Sequence, residues 1–151
     1  AGNINGDTFG SPDGLWFDKQ GRLWIQTDIS SGTLGTGTGA GGYVNMTNNM
    51  MLAANTVTGE IKRFLTGPKG CEVTGVASTP DGKTMFVNIQ HPGEGTGDNS
   101  NPADPAYPNK VSAWPATQGY FGVNLADGDD RKRPRSGTVV ITRDDGGVIG
   151  A

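Results

Sequence analysis

The stretch Leu15-Trp-Phe-Asp-Lys-Gln-Gly-Arg-Leu-Trp-Ile25 decides the fold class of this chain. Two short apolar runs, 15–17 and 23–25, flank a turn in which Gly21 can adopt a positive φ. Runs of this length that are rich in aromatic and β-branched residues are typical of strands. The stretch therefore predicts a β-hairpin.

A second hairpin is predicted later in the chain, and it resembles the first. It consists of Val73–Ala77, the turn Thr79-Pro-Asp-Gly82, and Thr84–Ile89. When Gly14 is aligned with Gly75, Gly21 falls on Gly82, and a basic residue follows each of these turn glycines. A hairpin that recurs after about 60 residues, with variable loops between the copies, is typical of the blades of a β-propeller.

Further apolar runs predict strands but no helix. The additional strands are Met50–Ala54, Glu60–Leu65 and Thr138–Thr142, and 29–43 and 91–115 are interpreted as loop insertions. We predict an all-β fold, specifically a partial β-propeller of about two to three blades with long loop insertions. Because a closed ring needs roughly four blades or more, 1–151 is interpreted as one propeller segment, the carboxy-terminal part of a longer enzyme. The alternative is a smaller sheet completed by oligomerisation.

The composition narrows the possible function classes. The chain has 151 residues and a formal net charge of −3. Nucleic-acid-binding domains are usually basic, so no nucleic acid partner is expected. No apolar run approaches the roughly 20 residues of a membrane helix, so no membrane span is expected. The single cysteine, Cys71, excludes an internal disulfide.

Two carboxylates are candidate metal ligands. Asp13 lies just before the inner strand of the first hairpin, and Glu72 lies at the corresponding end of the second. A two-residue offset in the alignment keeps both on the same face of a strand. Acidic residues that converge at a propeller axis suit a hard cation with oxygen ligands. The alternative is that Asp13 caps a turn and Glu72 is a solvated strand end.

Four blocks of the sequence resemble the PhoX-type alkaline phosphatase family of bacteria. They are Ser11-Pro-Asp-Gly-Leu-Trp-Phe-Asp18 with its continuation to Asp28, Gly67-Pro-Lys-Gly-Cys-Glu-Val-Thr-Gly75, Phe86-Val-Asn-Ile-Gln-His-Pro-Gly93, and Arg133-Pro-Arg-Ser-Gly-Thr-Val-Val-Ile-Thr-Arg-Asp-Asp-Gly-Gly147. The blocks occur in order and span most of the chain. The first block alone is also similar to calcium-dependent lactonase propellers.

The resemblance implies a periplasmic or extracellular phosphomonoester hydrolase that uses calcium and, in some members, iron. It implies that Asp13 and Glu72 are metal ligands, and it makes His91 and Arg22 candidates for contact with the phosphate of the substrate. The implied partners are small-molecule phosphate monoesters and the remainder of the propeller chain. Because further ligands would come from that remainder, the isolated segment is expected to be inactive.

Other interpretations remain open. One is a lactonase-like calcium propeller hydrolase, and another is a non-catalytic binding module with aromatic contacts from Tyr107, Trp114, Tyr120 and Phe121. Residues 37–42 match a GxGxxG spacing without the strand and helix that a dinucleotide site needs, so a loop is favoured. The basic run 131–135 follows acidic residues and is interpreted as a solvated loop. Cys71 could be a soft metal ligand or a small buried side chain.

Overall fold

The structure is a computed structural model that describes residues 5–37, 42–94, 111–116 and 133–151. Within these ranges the chain forms eight strands and no α-helix. The strands are β1 (Asn5–Gly6), β2 (Pro12–Phe17), β3 (Leu23–Thr27), β4 (Met50–Ala54), β5 (Glu60–Thr66), β6 (Glu72–Ser78), β7 (Thr84–Gln90) and β8 (Gly137–Thr142). The all-β prediction is confirmed, and no helix in this part of the chain could cross a membrane.

The strands form two separate sheets. Sheet A has the order β1-β5-β4-β3-β2, and sheet B has the order β6-β7-β8. Strands β2 to β5 pair antiparallel with their neighbours in sequence, as do β6 to β8, which is the meander expected of propeller blades. Strand β1 pairs parallel with β5 and was not predicted, because its two residues, Asn5 and Gly6, carry no apolar pattern.

The two predicted hairpins lie side by side and point in the same direction. At their turns, the Lys19 ammonium donates a hydrogen bond to the carbonyl oxygen of Pro80, 2.9 Å away. Residues of β2 and β6 also contact each other. The starts of β2 and β6 therefore lie together at the opposite edge. We call the end of the strands at which β2 and β6 begin and β3 and β7 end the start edge. We call the opposite end of the strands, which carries the two hairpin turns, the turn edge.

The main hydrophobic core lies between the two sheets. Its buried residues are Trp24, Met51, Cys71, Val73, Met85, Val87, Ile89 and Ile149. A second, smaller cluster lies on the other face of sheet A and consists of Ile25, Met50, Leu52 and Ala54. Sheet A is therefore apolar on both faces, as is expected of an internal layer in a stack of sheets.

A polar cluster holds the turn edge together. The Asp18 carboxylate accepts hydrogen bonds from the Arg22 guanidinium at 2.7 Å and from the Trp24 indole at 2.9 Å. Arg22 in turn donates to the carbonyl oxygen of Ile149, 2.8 Å away. Burial alone would raise the pKa of Asp18, but the hydrogen bonds from Trp24 and Arg22 outweigh it and lower that pKa below its ordinary value. The cluster therefore requires an ionised Asp18.

Candidate metal and phosphate site

Backbone strain marks the start edge. Among the described residues, two that are not glycine have a positive φ, namely Ser11 at 46° and His91 at 35°. Ser11 directly precedes β2, and His91 directly follows β7. Non-glycine residues held in this region cost about 1–3 kcal/mol each and concentrate at functional sites. The two strained residues therefore lie at the same edge as the predicted carboxylate ligands, Asp13 and Glu72.

Glu72 is the first residue of β6 and pairs with Gln90 of β7. It is only 8% exposed, although a carboxylate is rarely buried without a partner. No hydrogen bond to its carboxylate is formed within the described residues, and its nearest recorded partner there is the imidazole of His91, whose Nε2 lies 3.5 Å from Glu72 Oε2. Neither carboxylate oxygen is among the fully buried, unpartnered polar atoms of the described residues, and the side chain keeps 11% of its surface exposed, so the carboxylate retains some contact with solvent.

His91 lies between two carboxylates. Its Nε2 faces Glu72, and its Nδ1 lies 3.9 Å from Glu94 Oε2. Nδ1 is buried and makes no hydrogen bond within the described part of the chain. The backbone N–H of His91 donates to the Ser136 hydroxyl at 2.9 Å, which fixes the strained conformation of the loop. Sequence reasoning missed Glu94, for which the only signal is its position three residues after His91.

A cavity of about 310 Å³ with a mixed polar and apolar lining lies next to Glu94. Its lining includes Lys69, Gly70, Glu94 and Thr47. Gly70 has a φ of 68°, and a Cβ at this position would lie 2.6 Å from the carbonyl oxygen of Glu94, so only glycine fits. Lys69 thus supplies a cationic side chain at the start edge, where the sequence analysis had not placed one.

Asp13 lies at the same edge, but within a β-bulge. The pairing of β2 with β3 shifts register between Pro12 and Gly14, and Asp13 is the additional residue. The side chain of Asp13 is exposed. Because a bulge interrupts the alternation of side chains, the argument from a two-residue offset does not fix the direction of Asp13 relative to Glu72. The role of Asp13 as a metal ligand stays a prediction.

Arg22 lies at the turn edge, away from Glu72 and His91. The six residues of β2 separate the two edges by roughly 20 Å. Its guanidinium is engaged by Asp18 and by the carbonyl oxygen of Ile149. The role of Arg22 in phosphate binding stays a prediction, and within the described residues its contacts are those of a structural side chain.

Asn49 organises the backbone of the start edge, and no sequence signal indicated it. It is 2% exposed and makes four hydrogen bonds. Its Oδ1 accepts from the Thr27 hydroxyl at 2.8 Å and from the N–H of Ile29 at 2.6 Å. Its Nδ2 donates to the carbonyl oxygens of Ile29 and Cys71. Asn49 therefore links the end of β3 to the residue that precedes Glu72.

Cys71 is a core residue in this structure. It is buried within the main hydrophobic cluster between the sheets. Burial raises the pKa of its thiol to about 12, so the thiol is neutral at physiological pH. These observations favour the interpretation of Cys71 as a small buried side chain over that of a soft metal ligand.

The described residues fit part of a metal site. They contain no group of three or more His, Cys, Asp or Glu side chains that could hold a metal ion. Glu72 does fit as a single ligand, because its largely buried carboxylate accepts no hydrogen bond within the described residues. Carboxylate oxygens are the ligands that calcium prefers. A complete ligand set would need donors in addition to those described.

Several sequence predictions lie wholly or partly outside the described residues. These are the glycine-rich stretch 37–42, most of the insertion 91–115, Arg131 and Lys132 of the basic run, and the aromatic residues Tyr107, Tyr120 and Phe121. Trp114 is described, and it packs against the main core and over Gly137. Part of the Trp114 side chain is therefore covered by contacts within this chain.

Comparison with known proteins identifies the family of this chain. Residues 1–93 match the model of the family described as alkaline phosphatase PhoX. A solved structure of Pseudomonas fluorescens PhoX in complex with vanadate, a transition state analogue, is 46% identical with a TM-score of 0.66. The match covers 93% of this chain and 19% of that one, so the chain spans about a fifth of its relative's length. No curated protein matches the chain.

These matches also bear on the fold. The two sheets correspond to part of the PhoX β-propeller, which confirms the predicted partial propeller. The family resemblance is confirmed as well, since the family model covers residues 1–93, which contain the first three blocks, and the solved structure is 46% identical over 93% of the chain. The chain belongs to the PhoX alkaline phosphatase family.

Proposed function

We propose that this chain supplies part of the active site of a phosphomonoester hydrolase that uses a calcium-containing metal cluster, with iron as a second candidate metal. The observation that carries the proposal is the buried carboxylate of Glu72 next to His91 at the strained start edge. Membership in the PhoX family and the vanadate bound by the P. fluorescens relative support the substrate class, small-molecule phosphate monoesters.

Each residue at the start edge has a proposed task. Glu72 is a metal ligand, and Asp13 is a second candidate ligand. When bound, the cations offset the charge of the phosphoryl oxygens and lower the pKa of a bound water. His91 orients the Glu72 carboxylate through Nε2, in the way that groups around a metal site commonly orient its ligands. Lys69 is proposed to attract the phosphate, a task for which its position is better suited than that of Arg22.

The remainder of the site is proposed to come from outside the described residues. We propose that other blades of a longer propeller chain supply the missing ligands, and that the segment alone is inactive. We also propose a periplasmic or extracellular location, where calcium is abundant enough to occupy weak sites. The lactonase-like and binding-module alternatives gain no specific support from the described geometry.

The test is hydrolysis of p-nitrophenyl phosphate by the longest natural form that carries this sequence. We expect activity with calcium, loss of activity after chelation, and a decrease in kcat/KM of at least about 100-fold in Glu72→Gln. Glu60→Gln is the matched control, since the Glu60 side chain at the start of β5 is about half exposed (46%) and, within the described residues, forms an ion pair with Lys62. Equal activity in both variants would remove Glu72 from the site. Absence of phosphatase activity under every metal condition would favour a binding module.

A further inference from the structure

The loop 67–71 connects β5 of sheet A to β6 of sheet B and ends directly before Glu72. Asn49 holds both ends of this loop. Its backbone carbonyl oxygen accepts a hydrogen bond from the N–H of Gly67 at 2.8 Å. Its side-chain Nδ2 donates to the carbonyl oxygen of Cys71, also at 2.8 Å. The loop that leads into Glu72 is therefore fixed at both ends by a single residue.

The other atom of the Asn49 amide binds to sheet A. Its Oδ1 accepts hydrogen bonds from the Thr27 hydroxyl at 2.8 Å and from the N–H of Ile29 at 2.6 Å. Thr27 is the last residue of β3 and pairs with Pro12, the neighbour of Asp13. One buried amide therefore connects the strand ends that lie beside the two candidate metal ligands, which come from different sheets.

Asn49 acts on Glu72 through the peptide bond that joins Cys71 to Glu72. A peptide unit is planar, so the direction of the Cys71 carbonyl fixes the direction of the N–Cα bond of Glu72. The loop has little room to adjust, because Cys71 is 1% exposed and a Cβ on Gly67 would clash with its Sγ. The direction in which the Glu72 side chain leaves the backbone therefore depends on Asn49.

The same loop holds the segment that follows β7. The carbonyl oxygen of Lys69 accepts a hydrogen bond from the N–H of Gly93 at 2.9 Å. That of Gly70 accepts one from the N–H of Glu94 at 3.0 Å. His91 belongs to this segment and has the strained φ of 35°. A displacement of the loop would therefore also move His91 and Lys69.

Asn49 has no polar side-chain atom left for a metal or a substrate. Its Oδ1 accepts two hydrogen bonds, and its Nδ2 donates two, to the carbonyl oxygens of Ile29 and Cys71. An amide side chain offers two N–H donors and two lone pairs on oxygen, so this set is complete. Any effect of Asn49 on the site must therefore act through the residues that it holds.

We propose that Asn49 is a positioning residue of the metal site, which fixes Glu72 relative to Asp13 and His91 by holding the loop 67–71. The inference rests on the proposed function, because it requires that Glu72 bind a metal. Groups that orient metal ligands typically contribute about 10–100-fold to metal affinity or activity. Loss of the Nδ2 hydrogen bond is therefore expected to weaken calcium binding by a factor in this range.

Three variants separate this positioning role from a general loss of stability. Asn49→Asp keeps the size of the side chain but replaces the Nδ2 donor with an oxygen. Asn49→Ser is too short to reach the Cys71 carbonyl and introduces no charge. Thr27→Val is the matched control, because Thr27 is fully buried and the change removes two hydrogen bonds. These are the bonds to Asn49 Oδ1 and from the N–H of Met50, and the bond to Cys71 stays intact.

The measurement is the calcium concentration that gives half-maximal hydrolysis of p-nitrophenyl phosphate by the longest natural form that carries this sequence. Circular dichroism during heating establishes where each variant is folded, and the assays are run at a temperature at which all are folded. We expect each Asn49 variant to raise the half-maximal calcium concentration about 10–100-fold, and Thr27→Val to leave it unchanged. A purely structural role would lower the unfolding temperature without this shift.

Two results would overturn the inference: an unchanged calcium requirement in the folded Asn49 variants, or an equal increase in Thr27→Val. Either result, beside a loss of activity in Glu72→Gln, would reject the positioning role alone and leave the proposed function intact. Absence of calcium-dependent phosphatase activity in the unmodified protein would overturn both.

Discussion

Replacing Asn49 with alanine is expected to destabilise the chain more than replacing an exposed asparagine with alanine. The change removes four hydrogen bonds at a residue that is 2% exposed. It leaves the N–H of Ile29 without an acceptor in the interior, where an unpaired polar group costs about 1–3 kcal/mol. Two buried carbonyl oxygens, of Ile29 and Cys71, also lose a donor. The sum is a decrease of about 3–5 kcal/mol in the free energy of unfolding.

The assay is urea unfolding followed by circular dichroism at one fixed protein concentration. Asn55→Ala is the matched control. The Asn55 side chain also accepts two backbone hydrogen bonds, from Val57 and Thr58, but it is exposed. Because water can replace the lost partners there, the expected cost is about 1 kcal/mol or less. Equal costs for the two substitutions would refute the role assigned to Asn49.

Two further predictions concern the core and the turn edge. Cys71 should react with iodoacetamide at pH 8 about a thousandfold more slowly in the folded chain than in urea, because burial raises the pKa of its thiol from 9.0 to about 12. A comparable rate in both states would contradict the burial of Cys71. Asp18→Asn should remove part of the loss of stability in acid. The pKa of Asp18 is lowered in the folded chain, so the stabilisation from its carboxylate is complete above its unfolded pKa of about 3.9 and is lost as the pH falls through the folded value. Parallel curves of unfolding free energy against pH for the two proteins would show that the Asp18 carboxylate contributes nothing to the pH dependence of stability.

Local patterns were sufficient to predict most of the fold. The strands of both hairpins follow from short apolar runs around Gly21 and Gly82, and both glycines have the expected positive φ. The sequence could not indicate β1, because its pairing with β5 joins residues about 55 positions apart without an apolar pattern. The bulge at Asp13 was also not predictable, since it depends on the pairing register between β2 and β3.

The candidate site was only partly predictable, because some of its residues are brought together by contacts between distant parts of the sequence. Glu72 and His91 could be named from the sequence blocks, and the structure places them 3.5 Å apart. Asn49 could not, because its partners lie about 20 residues away on either side and its neighbouring residues form no motif. Arg22 was named as a candidate phosphate contact from the family resemblance, but the pairing of β2 and β3 places it at the opposite edge from Glu72.

Calcium binding by the longest natural form that carries this sequence tests the central claim most directly. Isothermal titration would compare the unmodified protein with Glu72→Gln and Glu60→Gln. The account predicts that Glu72→Gln loses one class of calcium site or binds it at least about tenfold more weakly, whereas Glu60→Gln binds like the unmodified protein. Identical stoichiometry and affinity in all three proteins would contradict the assignment of Glu72 as a metal ligand.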